Sequence, residues 1–148
     1  MTNYGTPLSS VDVLLVEDNP GDVKLTQEAL SETKMLVNLY TVEDGVEALD
    51  FLYKRNKFGD VPRPDIIILD LNLPLRDGRQ VLEEIKQDPS LKRIPVVILT
   101  SSKAEEDIVR TYDLHANCFI TKPLDFDQFI NIVKSIEQFW FTIVKLPD

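Results

Sequence analysis

The chain has a single cysteine, Cys118, so it has no internal disulfide and is not a disulfide-stapled secreted domain. No apolar run approaches the roughly 20 residues that a bilayer-spanning helix needs. The N-terminus, "MTNYGTPLSS", lacks the basic start and apolar stretch of a secretory leader. Basic residues are outnumbered, 16 against 25 acidic, for a net charge of −9. Such a surface repels phosphate backbones, which argues against nucleic acid as a partner. The sole histidine, His115, falls between a helix and a strand and reads as a packing or surface residue. What is present is globular: 148 residues, 43% hydrophobic, enough for one domain with a sizeable core. The expectation is a cytoplasmic protein with no membrane association.

The chain alternates short apolar strands with amphipathic helices. "VDVLLVEDN" (11–19) reads as a buried strand ending near Val16, and "GDVKLTQEALSETK" as a helix with Val23, Leu30 and Gln27 on one side. "VNLYTV" (37–42) is a second strand, and "EDGVEALDFLYKR" a helix turning Val46, Leu49 and Leu52 or Tyr53 inward. "NKFGDVPRP" (56–64) is a long loop, with "YKRNK" (53–57) a solvated basic helix end. "PDIIILD" (64–70) is an apolar strand, followed by "DGRQVLEEIKQD" (77–88), a helix with Val81, Leu82 and Ile85 on its stripe. "VVILTSS" (96–102), "AEEDIVRTYDL", "CFITKP" and "DFDQFINIVKSIEQFWFTIV" complete five strand–helix pairs. This order implies an α/β fold, a parallel sheet with both faces covered.

In such sheets, ligands bind outside the carboxyl ends of the strands. The first strand delivers Glu17 and Asp18 there, and the third delivers Asp70 followed by Asn72. The fourth delivers Thr100, Ser101 and Ser102, and the fifth Thr121, Lys122 and Pro123. Glu43 and Asp44, after the second strand, read as caps of the next helix. One acid at a strand end is usually a cap or a solvated loop residue; four strand ends supplying Glu-Asp, Asp, Thr and Lys together are not so dismissed. Three converging carboxylates repel one another, so either one is protonated or a cation neutralises them. Oxygen-only ligands favour a hard ion, and Mg2+ is the natural candidate. Mg2+ and Lys122 together balance three negative charges, and an ionised Asp70 beside a metal can attack phosphorus.

The stretches "LLVEDN" (14–19), "IIILDLNLPLRDG" (66–78), "VVILTSS" (96–102) and "FITKP" (119–123) resemble the receiver domain of two-component response regulators. The resemblance covers nearly the whole chain. It implies a flavodoxin-like, doubly wound, five-stranded parallel sheet of order 2-1-3-4-5 with five helices. It also implies Asp70 as the phosphoacceptor, served by a histidine kinase, and Asp18 as a direct Mg2+ ligand. By the same resemblance Glu17 would act near the metal through water, and the Asn72 carbonyl would complete the protein's share of the coordination. The resemblance likewise implies that Lys122 pairs with the phosphoryl oxygens, that Thr100 hydrogen-bonds to them after transfer, and that Phe119 stands at the switch aromatic position. Pro123 follows Lys122 through a peptide bond that the family holds cis. Pro74 and Gly78 shape the loop after Asp70. The protein is thus expected to accept phosphate rather than to turn over a substrate.

The segment "RPDIIILDLNLPLRDGRQVLEEIKQDPSLKRIPVVILT" and the "QFWF" ending resemble more narrowly the small cyanobacterial response regulators that serve phytochrome kinases, a subgroup in which homodimers occur. The receiver is expected to span 1–148, with a core over about 11–138, an extension over about 139–148 and no output domain. The output is then an unidentified downstream protein, a relay step or a change in self-association. In the last helix, Phe126, Phe129 or Ile130, Val133, Ile136 and Trp140 mark a stripe that covers the sheet. Ile132, Phe139 and Ile143 mark a second stripe, which with Trp140 and Phe141 suggests a homodimer interface on this helix and the extension; the alternative is an extension folded back over its own domain.

Three other functions are weaker. A flavodoxin needs a hydroxyl- and glycine-rich loop after the first strand, where "EDNPGD" would repel phosphate. A haloacid-dehalogenase-like phosphatase wants an aspartate two residues after its nucleophile, where this chain has Asn72. A phosphorylation-independent scaffold does not need the complete site.

Overall fold

The computed structural model describes residues 10–32, 36–73, 78–100 and 118–121, together with Asp127, Ile130, Asn131 and Lys134, which carry helical backbone. Five strands, β1 (Ser10–Val16), β2 (Leu36–Val42), β3 (Ile66–Asp70), β4 (Val96–Thr100) and β5 (Cys118–Thr121), form one sheet of order β2-β1-β3-β4-β5. Every pairing is parallel. The expected flavodoxin-like order is therefore the observed one. The helices α1 (Pro20–Leu30), α2 (Gly45–Leu52) and α3 (Gly78–Gln87) alternate with the strands.

β3 and β4 are buried at every position, because each lies between two strands and beneath helices on both faces. Alternate side chains feed two cores. Leu14, Val16, Ile67, Leu69, Val96 and Ile98 pack with α2 and α3 on one face. Val11, Val13, Leu15, Ile66, Ile68, Val97 and Leu99 pack with α1 on the other, where half-buried Ile130 joins them. The first apolar stripe expected in the last helix thus touches the sheet at its one described apolar member.

Two helix faces differ from the periodicity reading. In α1 the buried residues are Thr26, Ala29 and Leu30, while Gln27 is exposed and Val23 half-buried. The Thr26 hydroxyl donates to the Asp22 carbonyl at 2.8 Å, which satisfies its polar group inside the interface. The helix ends at Leu30, with Ser31 as its C-cap. In α2, Val46 is 45% exposed, and Ala48, Leu49, Phe51 and Leu52 are buried. The aromatic ring of Phe51 explains the rotation, since it stacks obliquely on Tyr40 of β2 and on Phe58. Residues 56–58 of the expected long loop form a 3-10 turn, entered through Lys54 and Asn56 at φ 55°.

Asp44 is the N-cap of α2; its Oδ1 accepts from the Glu47 N–H at 2.8 Å. Glu47 reaches back to the Glu43 N–H at 3.0 Å and also accepts from Lys57 at 3.2 Å. The Glu43 hydrogen bond is the main reason its carboxyl is held below the ordinary value of 4.5. A lowered folded-state pKa adds stability that is present above about pH 4.5 and lost as pH falls through the folded value. Asp44→Ala removes the cap and is expected to lower unfolding free energy by about 1 kcal/mol in urea titration. An unchanged midpoint would contradict the assignment of Asp44 as the cap.

Candidate functional site

Strand register builds the site. Val16 of β1 pairs with Leu69 of β3, so Glu17 and Asp70 emerge side by side at the carboxyl edge. Asp70 pairs with Leu99, which sets Thr100 one step further along the neighbouring strand. Thr100 in turn pairs with Thr121, the residue before Lys122. The edge hydrogen bonds continue past the strands on both sides: Glu17 N–H donates to the Val42 carbonyl and Leu71 N–H to the Leu99 carbonyl, each at 3.0 Å.

Glu17 and Asp70 are both 1% exposed, whereas Asp18 is open to solvent. One carboxylate oxygen from each of the three lies within 4.8 Å of the others. At that distance two unit charges in a medium of effective dielectric 20 repel by roughly 3 kcal/mol. Oxygen donors from three directions, two of them sheltered, suit a hard divalent cation that keeps part of its water shell. The donor set therefore fits Mg2+.

Two local hydrogen bonds aim the buried acids. The Asn19 N–H donates to Glu17 Oε2 at 3.1 Å, and the Asn72 N–H donates to Asp70 Oδ1 at 2.9 Å. Asn19 also caps α1: its Oδ1 accepts from the Asp22 N–H at 3.0 Å, and Pro20 begins the helix. The loop carrying Glu17 and Asp18 is thus tied to a helix start. The residue reading passed over Asn19, although Asn followed by Pro before an amphipathic run is a recognisable N-terminal signal. Thr100 is fully buried, and its Oγ1 has no hydrogen-bond partner among the described residues. A buried hydroxyl in that state is uncommon and suits a position where an acceptor arrives.

Beside the acids an open groove of about 330 Å³ is lined in part by Glu17, Asp18, Lys24, Gln27, Thr41 and Glu43. Of the residues predicted for the site, the structure brings together Glu17, Asp18 and Asp70, with Asn72 attached through its backbone. Thr100 takes its place at the same edge by register. Phe119 lies in β5 opposite Ile98. Its side chain, Ser101, Ser102, Lys122, Pro123 and the interface residues Ile132, Phe139, Trp140, Phe141 and Ile143 lie outside the described residues, as do Pro74, His115 and the expected fourth helix.

The repulsion has a measurable consequence. In chelator, Asp18→Asn is expected to raise unfolding stability by about 1 kcal/mol, because it relieves two repulsive contacts while burying nothing new. The same variant should bind Mg2+ more weakly than wild type in calorimetric titration. A variant that is no more stable than wild type without metal would show that the three acids do not repel as described.

A model of the response regulator receiver domain matches residues 13–134. The chain is 47% identical over 135 residues to response regulator Rcp1 of Synechocystis sp., a match covering 91% of this chain and 92% of that one. Among solved structures, the phosphorylated cyanobacterial phytochrome response regulator RcpA superposes with a TM-score of 0.80 at 49% identity, covering 95% of this chain and all of that one. The Mn2+-bound form of Rcp1 superposes with a TM-score of 0.78 at 46% identity, covering 93% and 99%. Among the described residues no helix is long and apolar enough to cross a membrane. A parallel sheet of this order, with acids gathered at its carboxyl edge and matched along most of its length by these relatives, belongs to the response regulator receiver domains, which accept phosphate from a histidine kinase.

Proposed function

We propose that Asp70 is the phosphoacceptor and that a Mg2+ ion held by Asp18, Asp70 and the Asn72 carbonyl, with Glu17 nearby, serves the transfer. The supporting observation is the meeting of Glu17, Asp18 and Asp70 at one strand edge beside a buried Thr100 hydroxyl that has no hydrogen-bond partner among the described residues. Mg2+ supplies positive charge that offsets the phosphoryl oxygens and the carboxylates. The remaining steps belong to the protein. The Asn72 N–H holds Oδ1 and fixes the plane of the Asp70 carboxylate. An Asp70 oxygen bonds to phosphorus as the phosphorus–nitrogen bond of the donor phosphohistidine breaks, and the departing imidazole takes a proton from solvent. Burial of Asp70 keeps competing water from the reacting face.

Lys122 then meets the phosphoryl oxygens, and the Thr100 hydroxyl donates to them. Thr100 turns toward the new charge, and Phe119 swings into the space left behind. The switch is a two-state equilibrium biased by charge. Hydrolysis of the aspartyl phosphate at this same site resets it, without turnover of any external substrate. The phosphodonor is a phytochrome-type histidine kinase, a reading supported by the likeness to RcpA. The location is cytoplasmic, and the output runs through a downstream protein.

Incubation with Mg2+ and a small phosphodonor tests the transfer. Wild type should gain one acid-labile phosphoryl group by intact-mass spectrometry, and Asp70→Asn none at that position. Labelling of Asp70→Asn to the wild-type extent would overturn the assignment.

The reading includes a homodimer formed by the last helix and residues 139–148, supported by the second apolar stripe in the sequence. Sedimentation should show a dimer that becomes a monomer when residues 139–148 are removed. A mass unchanged by the truncation would exclude this interface.

A further inference from the structure

We infer that Gly78, the first residue of α3, is a positioning residue that sets the direction of the Asp70 carboxylate and so the affinity of the acidic site for its cation. The inference rests on the Mg2+-binding reading of that site. A Cβ at position 78 would stand 2.4 Å from the Asp70 carbonyl oxygen, 2.6 Å from Leu71 Cα and 3.0 Å from Leu71 C. All three are backbone atoms, so no side chain can rotate away to make room. No glycine among the described residues has positive φ, so what position 78 demands is space and not an unusual backbone angle.

The contact leads to the reacting group in two steps. The Gly78 N–H donates to the Leu71 carbonyl at 3.2 Å, which lays the start of α3 on the peptide that follows Asp70. The next N–H along, that of Asn72, donates to Asp70 Oδ1 at 2.9 Å. On the opposite side the Leu71 N–H is fixed to the Leu99 carbonyl at 3.0 Å. With β4 anchoring one side of this segment, a methyl group at 78 must be accommodated by movement of the helix or of the Leu71–Asn72 peptide. The first pulls on the Leu71 carbonyl through the Gly78 N–H and the second shifts the peptide outright, and both bear on the Asn72 N–H of that same peptide, which orients the carboxylate. Gly59 provides the matched control, since a Cβ there meets nothing within 4 Å and its backbone is right-handed helical at φ −62°.

The experiment is Mg2+ calorimetry on the full chain as wild type, Gly59→Ala and Gly78→Ala, each with a urea unfolding curve. Wild type and Gly59→Ala should bind Mg2+ alike, while folded Gly78→Ala should bind at least tenfold more weakly. A purely structural glycine would lower the unfolding midpoint and leave the Mg2+ affinity of the folded protein unchanged; that result overturns the inference. If Gly78→Ala does not fold, amide NMR of wild type decides. The Asn72 and Gly78 N–H signals should shift with Mg2+ along one saturation curve, and a stationary Gly78 signal beside a moving Asn72 signal overturns the inference equally. Failure of wild type itself to bind Mg2+ is a distinct result, which removes the cation reading of the site and the inference with it.

Discussion

Mutual repulsion among three carboxylates is the constraint around which the carboxyl edge of this sheet is organised. Two of them, Glu17 and Asp70, are buried at the ends of adjacent central strands, where a charge loses most of its hydration. Apolar packing below holds them there: β1 and β3 are locked in register by two cores, and the register brings both acids to one level. The fold is therefore stabilised by its interior and loaded at its rim. On the proposed reading, that loading is what would make binding of a divalent cation at the edge favourable.

Small backbone contacts translate the loading into direction. Asn19 joins the cap of α1 to the Glu17 carboxylate, and Asn72 joins the turn after β3 to Asp70. The close approach of Gly78 extends the second link to the start of α3. Each link makes the position of an acid depend on where a helix begins. A change of charge at the edge can then be felt in the loops and helices around it, which is the physical requirement for a switch.

Away from the edge, the opposite pole is tied by polar contacts of a different kind. The Asp12 N–H donates to Asp65 Oδ2, and the Asp65 N–H returns a hydrogen bond to the Asp12 carbonyl. Asn38 adds a bond to Asp12 from β2. Tyr53 of the α2 end donates to Asp88 beyond α3; burial foremost, then this bond, pushes its phenol up to about 12. These contacts hold strand starts and helix ends together, and among the described residues no cluster of three acids gathers at this pole. The poles differ in degree: at one the acids are tied to backbone and amide donors, and at the other three carboxylates meet.

Much of this was legible in the residue order. Short apolar runs such as "IIIL" of β3 suit burial between other strands, and their alternation with helical stripes points to a parallel sheet, so fold class and strand ends followed directly. The acids after β1 and β3 were visible for the same reason, as charges placed where an apolar run stops. The faces of α1 and α2 were not legible. Thr26 becomes a core residue through a hydrogen bond to its own helix, and Val46 is turned outward because Phe51 finds Tyr40 and Phe58. Periodicity counts apolar residues along one segment, whereas these choices are made by side chains arriving from other segments. Residue order alone settles which residues stand at the sheet's edge; how near they stand and which N–H aims each carboxylate come from the folded chain, because distance and direction arise from register and loop closure, which link residues far apart in the chain.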